Sequence, residues 1–501
     1  MLNLLERLAK QVAGGTSSRS GDSVLSRRSL LLAGFSSLAA MRPSATQAVP
    51  QPSANRFLVN RLTFGWTEEE QLLADTLGYH GYLEHHLNPE AIPDNACESL
   101  ISSYLRLNWN PYNLHSVQPQ VTVHQVTEST IVRAVYSKRQ LLERMVEFWT
   151  DHFNVDINKS HIPWLFPLWL RLAIRPHALG TFPQLLAATA QSQVMMFYLD
   201  NVISNGTSPN ENYSRELMEL HTMDVGGGYT QEDVEEVARC FTGWTVHYGY
   251  GSGSTWEFLY RPEWHDNGPK VVLGTQIPAG GGFNDGLTVL DILAHHPSTA
   301  RFISRKLCQR FWDYNPSETL VDAVTTTYMN TGGDIKAMLR TLFTTVNPST
   351  AAPKFKRPFH LFASTMRATK TQINPQPFFT GSALRNLYSS AGHHPFYHSP
   401  PDGYPDRLDA WSGLLLPRWN FSAILANNGI ADTSINLAAF LDGASTSAAV
   451  ADRIDQRLFG GRMPASEKAL LLNYLGAGSP TESVIRDAIG LAASAPSYQW
   501  Y

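Results

Sequence analysis

Residues 128–152 carry the longest run of helix-period apolar spacing in the chain, and no other segment constrains the fold as much. Ile131, Val135, Leu142, Met145 and Trp149 fall near one face, while Lys138, Arg139, Glu143 and Glu147 fall elsewhere. Spacing of three and four residues gathers side chains on one side of an α-helix and scatters them over both faces of a strand. The segment therefore predicts one amphipathic helix ending at His152. The same period returns over about 211–222, 287–295, 299–311 and 358–369. Thr67 with Glu70 reads as a capping box opening a helix toward Leu77. Thr230 with Asp233 caps another helix that runs through Cys240.

These signals predict a mainly α, multi-helix globular domain over residues 49–501. One stretch differs. Residues 248–282 are rich in Gly and Pro, with short apolar runs at Trp256–Tyr260 and Lys270–Leu273, and predict a small β-hairpin insertion. A second irregular stretch, Gly392–Pro405, is a loop rich in Pro, His and Gly. Trp164–Ile174 is the best membrane candidate after the N-terminus, and Pro167 and Arg171 break it.

The N-terminal 48 residues read as a signal peptide. Ser26-Arg27-Arg28-Ser29 precedes a short apolar run from Leu30 to Ala40, and small residues close the segment at Thr46-Gln47-Ala48. The paired arginines point to the twin-arginine export machinery, which carries folded proteins. The run is too short for a permanent membrane anchor. A periplasmic or extracellular location is therefore expected. Cys97, Cys240 and Cys308 are three, far apart and without a Cys-x-x-Cys pair. That spacing disfavours iron–sulfur, c-type haem and cysteine-rich zinc sites, and permits at most one disulfide. The chain is acidic overall, at −4, and has no basic block, so nucleic acid is not an expected partner.

Three segments and a short motif carry a family resemblance. The first is Glu143-Arg144-Met145-Val146-Glu147-Phe148-Trp149-Thr150-Asp151-His152-Phe153. The second runs from Pro209 through Asn210-Glu211-Asn212-Tyr213-Ser214-Arg215-Glu216 and Glu219-Leu220-His221-Thr222 to Trp244-Thr245. The third is His265-Asp266-Asn267-Gly268-Pro269-Lys270, and the motif is Pro401-Asp402-Gly403-Tyr404-Pro405. Together they resemble the bacterial domain-of-unknown-function family DUF 1800, from Arg56 to Gln499. Ser214 departs from the alanine usual there, and Met223-Asp224 from Leu-Gly. The resemblance implies an exported helical protein, often encoded beside a second exported protein with a sulfatase-like fold. It implies no reaction.

The chemistry must come from the residues. Asn210 caps a helix start and Glu211 sits where the helix dipole favours an acid. Arg215 and Glu219 are four apart, Glu216 and Glu219 three apart, and Asn212 lies four before Glu216. A carboxylate pair beside His221 suits a divalent metal, of unknown identity. His152 continues the Met145–Trp149 stripe inward, and His265-Asp266 sits in the expected hairpin. The expected metal ligands are thus His152, Glu216, Glu219, His221, His265 and Asp266, with Asn212, Arg215 and Glu216 as catalytic residues. The competing reading makes Arg215 and the glutamates an ion network that fixes packing, and His393–His398 a feature of a cleft rim. No phosphate loop, dinucleotide fingerprint or Gly-x-Ser-x-Gly elbow occurs. Two functions follow as expectations: a metal-dependent hydrolase outside the cytoplasmic membrane, or a non-catalytic assembly partner of the co-exported sulfatase-like protein.

Overall fold

A computed structural model describes residues 53–249, 255–376 and 382–501. The expected signal segment 1–48 and residues 250–254 of the expected β insertion lie outside the described residues. The protein is mainly α, with three short antiparallel strand pairs among the described residues. No described helix is long and apolar enough to cross a membrane.

Two helices open the domain: α1 (Ala54–Leu62) and α2 (Glu68–Leu87). Thr67 Oγ1 accepts from the Glu70 N–H, as the capping signal requires. The Glu70 carboxylate does not return to the cap. It turns inward, accepts from the Tyr82 hydroxyl and faces His86 and Arg367. Gly78, at φ 70, kinks α2 one residue beyond the expected end at Leu77.

The segment expected as one helix forms two, α3 (Pro119–Tyr136) and α4 (Gln140–His152). Ser137 turns to extended backbone, its hydroxyl donates to Asp94 Oδ2, and the Lys138 N–H donates to Asp94 Oδ1. The apolar stripe crosses this break without a change of phase, so periodicity alone does not show it. The expected polar face of α4 is also not a solvent face. Glu143 and Arg144 are buried and Glu147 is half-buried.

The chain continues through α5 (Ile162–Trp169), whose register loosens into a π-type turn over Leu170–Ile174, and α6 (Phe182–Ala190). It then forms α7 (Glu211–Glu216), extended by a second π-type turn over Leu217–Thr222, and α8 (Gln231–Cys240). Thr230 and Asp233 make a reciprocal capping box at the start of α8. Two hairpin-like pairs follow. β1 (Trp244–Val246) pairs with β2 (Phe258–Tyr260), and β3 (Lys270–Val272) pairs with β4 (Thr275–Ile277). The β insertion therefore begins at Trp244, and Trp256 precedes its second strand.

The remaining helices used below are α9 (Phe283–Ala294), α10 (Pro297–Phe311), α11 (Pro358–Ala368), α12 (Leu415–Ala426) and α13 (Glu482–Ser494). A two-residue pair, β5 (Gln372–Ile373) with β6 (Thr433–Ser434), ties the C-terminal half together. α12 lies close against α13 because a side chain at Gly490 would meet the Ala423 backbone at 3.1 Å. Most of the buried apolar side chains fall into two cores. One gathers helices from α1 to α10 around residues such as Met145, Trp149, Phe153 and Phe182. The other gathers α11 to α13 around Phe359, Phe362, Phe421 and Ile489. Cys97, Cys240 and Cys308 are buried, unpaired and behave as small apolar side chains. Burial pushes each thiol up to about 12.

Candidate functional site

Where the two cores meet, a cavity of about 360 Å³ opens along α4. Val146 and Phe396 line it from the first core, and Phe64 and Phe359 from the second. Junctions of this kind leave room that neither core fills, and ligand sites favour them. Glu143, Glu147 and Asp151 are spaced by four along α4, so they sit on one face and all reach the cavity.

Each of these carboxylates is paired with a guanidinium. Arg175 holds Glu143 through two bonds of 2.6 and 2.9 Å. Arg357 bridges the other two, donating to Glu147 Oε1 at 2.5 Å and to Asp151 Oδ2 at 2.7 Å. Arg310 contacts Glu147 Oε2, and Arg144 lies 3.6 Å from the same oxygen. Three guanidinium groups therefore hold the Glu147 carboxyl far below the usual carboxylate range. Asp151 has only the shared Arg357. Burial and the Glu147 charge one turn away push its carboxyl upward. The two carboxyls are thus pushed in opposite directions.

The Pro401–Pro405 motif closes this end of the cavity. Gly403, at φ 76, lies so close to α4 that a side chain there would overlap the Asp151 carbonyl oxygen. Tyr404 lines the cavity and donates its O–H to the His394 carbonyl at 2.7 Å. His393 lines it too, stacked on Trp411 and edge-on to Tyr404, with Nδ1 accepting from the Phe359 N–H. Burial beside Arg357 keeps the His393 ring neutral, well below the usual histidine range. The front of the histidine loop, 393–396, is thus buried against the cavity, while His398 is half-buried and faces Asp402.

The expected metal ligands lie in separate places. His152 and His221 do come together, with ring centroids 6.3 Å apart. His152 Nε2 donates to the His221 carbonyl at 3.1 Å, which leaves Nδ1 to accept from Lys306 Nζ at 2.9 Å. Both nitrogens are engaged, and an ammonium occupies the direction a metal would take. Burial and the Lys306 charge pull His221 down to about 3, and burial pulls Lys306 itself down to about 8. Glu216 and Glu219 lie on the half-buried side of the same turn. Burial, then the charge of Glu219, raises the Glu216 carboxyl. Arg215 pairs with Glu211 at 3.0 Å and more loosely with Glu219 at 3.9 Å, while Asn212 is exposed and its backbone N–H donates to the capping Asn210 Oδ1.

His265 and Asp266 belong to the β insertion. His265 Nδ1 faces the Thr242 carbonyl at 2.8 Å and Nε2 faces Asp285 Oδ2 at 3.2 Å. Asp285 Oδ2 also accepts from Lys270 Nζ at 2.7 Å, so Lys270 is a buried ion-pair partner and not a surface charge. Asp266 accepts from Arg239 and from the Gly268 N–H, forming the Asx turn that this sequence favours. No group of three or more His, Cys, Asp or Glu side chains that could hold a metal occurs among the described residues. The six expected ligands do not fit one metal centre.

Sequence reasoning passed over Glu147, Asp151 and Arg357 as site residues and left His393 at a cleft rim. The one available signal was that Glu143, Glu147 and Asp151 repeat at four-residue spacing inside a segment too distinctive for a plain solvent face. Curated proteins and solved structures yield no significant match to the chain. A family model described as "Protein of unknown function (DUF1800)" matches residues 57–500, and the chain belongs to that family.

Proposed function

We propose that this protein is an exported hydrolase whose active site is the α4 cavity, with Asp151 as its proton-transferring residue. The observation that carries the reading is the Glu147–Asp151 pair on the cavity wall, sharing Arg357 but differing in the cations that reach each member. Environments that push two carboxylates apart in acidity separate a proton carrier from a fixed charge. Water bonds to the substrate centre as the bond to the leaving group breaks; Asp151 gives its proton to the leaving-group atom, and the proton the water releases returns to Asp151. Glu147 stays ionised and fixes Arg357 and Arg310 behind the site. No step is routed through a metal, since the expected ligands do not form one centre. Export by the twin-arginine route rests on the Arg27-Arg28 segment and places the reaction outside the cytoplasmic membrane.

The test is a hydrolase screen of the protein after native export, using chromogenic esters, glycosides, and phosphate and sulfate monoesters. On the class that turns over, Asp151→Asn lowers kcat/KM by about a hundredfold or more, the usual weight of a general acid. Turnover untouched by Asp151→Asn sinks the assignment. Failure on every class, with a stable complex to a co-exported sulfatase-like protein, favours the assembly reading instead.

A further inference from the structure

We infer that the cavity takes an elongated ligand with an oxyanion at one end, and that Arg171 anchors this group while the body lies along α4. The inference rests on the reading of the cavity as the active site and names the chemistry of what enters it.

Three arginines line the cavity: Arg133, Arg171 and Arg175. Two of them are neutralised. Arg133 makes two bonds to Glu98, at 2.7 and 3.3 Å, and Arg175 makes its two to Glu143. Arg171 has no carboxylate within 4.0 Å among the described residues, and its one polar contact there is a long bond of 3.4 Å to Asn108 Oδ1. The four lining carboxylates, Glu98, Glu143, Glu147 and Asp151, already have their own guanidinium partners. Arg171 is therefore the cavity's uncompensated charge. A guanidinium in that position offers a planar fork of donors matched to a carboxylate, phosphate or sulfate.

The placement gives the ligand its shape. Glu143 and Asp151 are eight residues apart on α4, which separates them by about 12 Å along the helix axis. Arg175, paired to Glu143, fixes the near end, and Arg171 stands four residues before it on the π-type turn. Tyr404, His393 and Asp151 mark the far end. Between them the wall is mainly apolar, with Val146, Pro167, Leu170, Phe359 and Phe396, and Glu147 there is held by its guanidinium partners. A ligand that spans the cavity holds its oxyanion at Arg171, its apolar or aromatic body against these side chains, and its reacting bond beside Asp151.

Titration calorimetry on the full mature protein at low salt tests this with phenylbutanoate, its uncharged amide and phenylbutyl phosphate as probes. The wild type binds phenylbutanoate about tenfold more tightly than the amide, the worth of one charge-assisted hydrogen bond. Tighter binding of the phosphate than of the carboxylate assigns the oxyanion class, and the reverse order assigns a carboxylate. Arg171→Gln brings carboxylate and amide to equal affinity and leaves the amide unchanged. Arg171→Lys keeps part of the preference. Binding of these probes needs no turnover, and the Asp151→Asn turnover assay reads the hydrolase assignment separately, so a failed hydrolase reading and a failed anchor give different results. Equal binding of carboxylate and amide by the wild type, no binding of any probe, or an unchanged preference in Arg171→Gln overturns the proposal.

Discussion

Two charge clusters in this protein use the same components and differ in one respect. Where the β insertion packs on α9, Asp285 of α9 accepts from Lys270 and faces His265, and all three side chains are sealed from solvent. Lys270 also donates to the carbonyls of Asp266 and Gly268, so its charge is met on several sides. On α4, Glu147 and Asp151 meet Arg357, Arg310 and Arg144, but 11% and 19% of these carboxylate side chains remain open. The open side is the cavity. A sealed and fully paired cluster fixes how elements pack. A cluster with one wall missing keeps charges ready for something that enters.

The largest expected effect breaks the sealed cluster. Asp285→Ala leaves the Lys270 ammonium buried with carbonyl partners alone, and removing one member of a buried pair costs about 3–5 kcal/mol. Denaturant unfolding reads this as a lower midpoint at unchanged slope. A loss below about 1 kcal/mol would mean that the cluster is hydrated and not sealed, and the contrast with α4 would lose its basis. On the open side the order of effects reverses. Asp151→Asn keeps an oxygen for Arg357, and its effect falls on turnover, about hundredfold, with unfolding changed far less.

The helices flanking the site were legible in the sequence, and the pairing of their polar faces was not. Period and caps located α8, α10 and α11 to within a few residues, because burial of a stripe is a local property of spacing. They missed the break at Ser137, since Asp94, which receives it, lies more than forty residues away in the chain. They also placed Glu143 and Glu147 outside the core, because a carboxylate reads as solvent-facing until its guanidinium is known. Arg175, Arg310 and Arg357 come from three other segments. His152 with His221 was readable from the inward stripe, and Lys306, which occupies the metal's direction, was not.

A pH experiment sharpens the same contrast from the buried histidines. The His221 pKa is about 3 in the folded protein, against an ordinary value near 6.5. Above pH 6.5 the ring is neutral in both states and nothing depends on pH. Between 6.5 and 3 the unfolded chain binds a proton that the folded protein refuses, so stability falls as pH falls. One such group contributes at most about 1.4 kcal/mol per pH unit. His221→Phe removes this slope over that window. Urea midpoints of the two proteins that fall in parallel from pH 6.5 to 4 would show that His221 takes up its proton in the fold as readily as in the unfolded chain.

The smallest expected effect asks whether the Pro401–Pro405 loop is a wall or a participant. Tyr404 faces the cavity, yet its hydroxyl is committed to the His394 carbonyl. Burial, helped by the Asp151 charge, raises the phenol further above its ordinary range, so it stays protonated through the neutral region. Tyr404→Phe keeps the ring against His393 and removes one neutral hydrogen bond, worth about 1 kcal/mol of stability. As a wall residue it leaves kcat within a few-fold of wild type, while Asp151→Asn does not. A hundredfold fall in kcat for Tyr404→Phe, at unchanged KM and stability, would move the hydroxyl from the loop's packing into the reaction. The α4 cluster would then act through Tyr404 rather than through Asp151 alone.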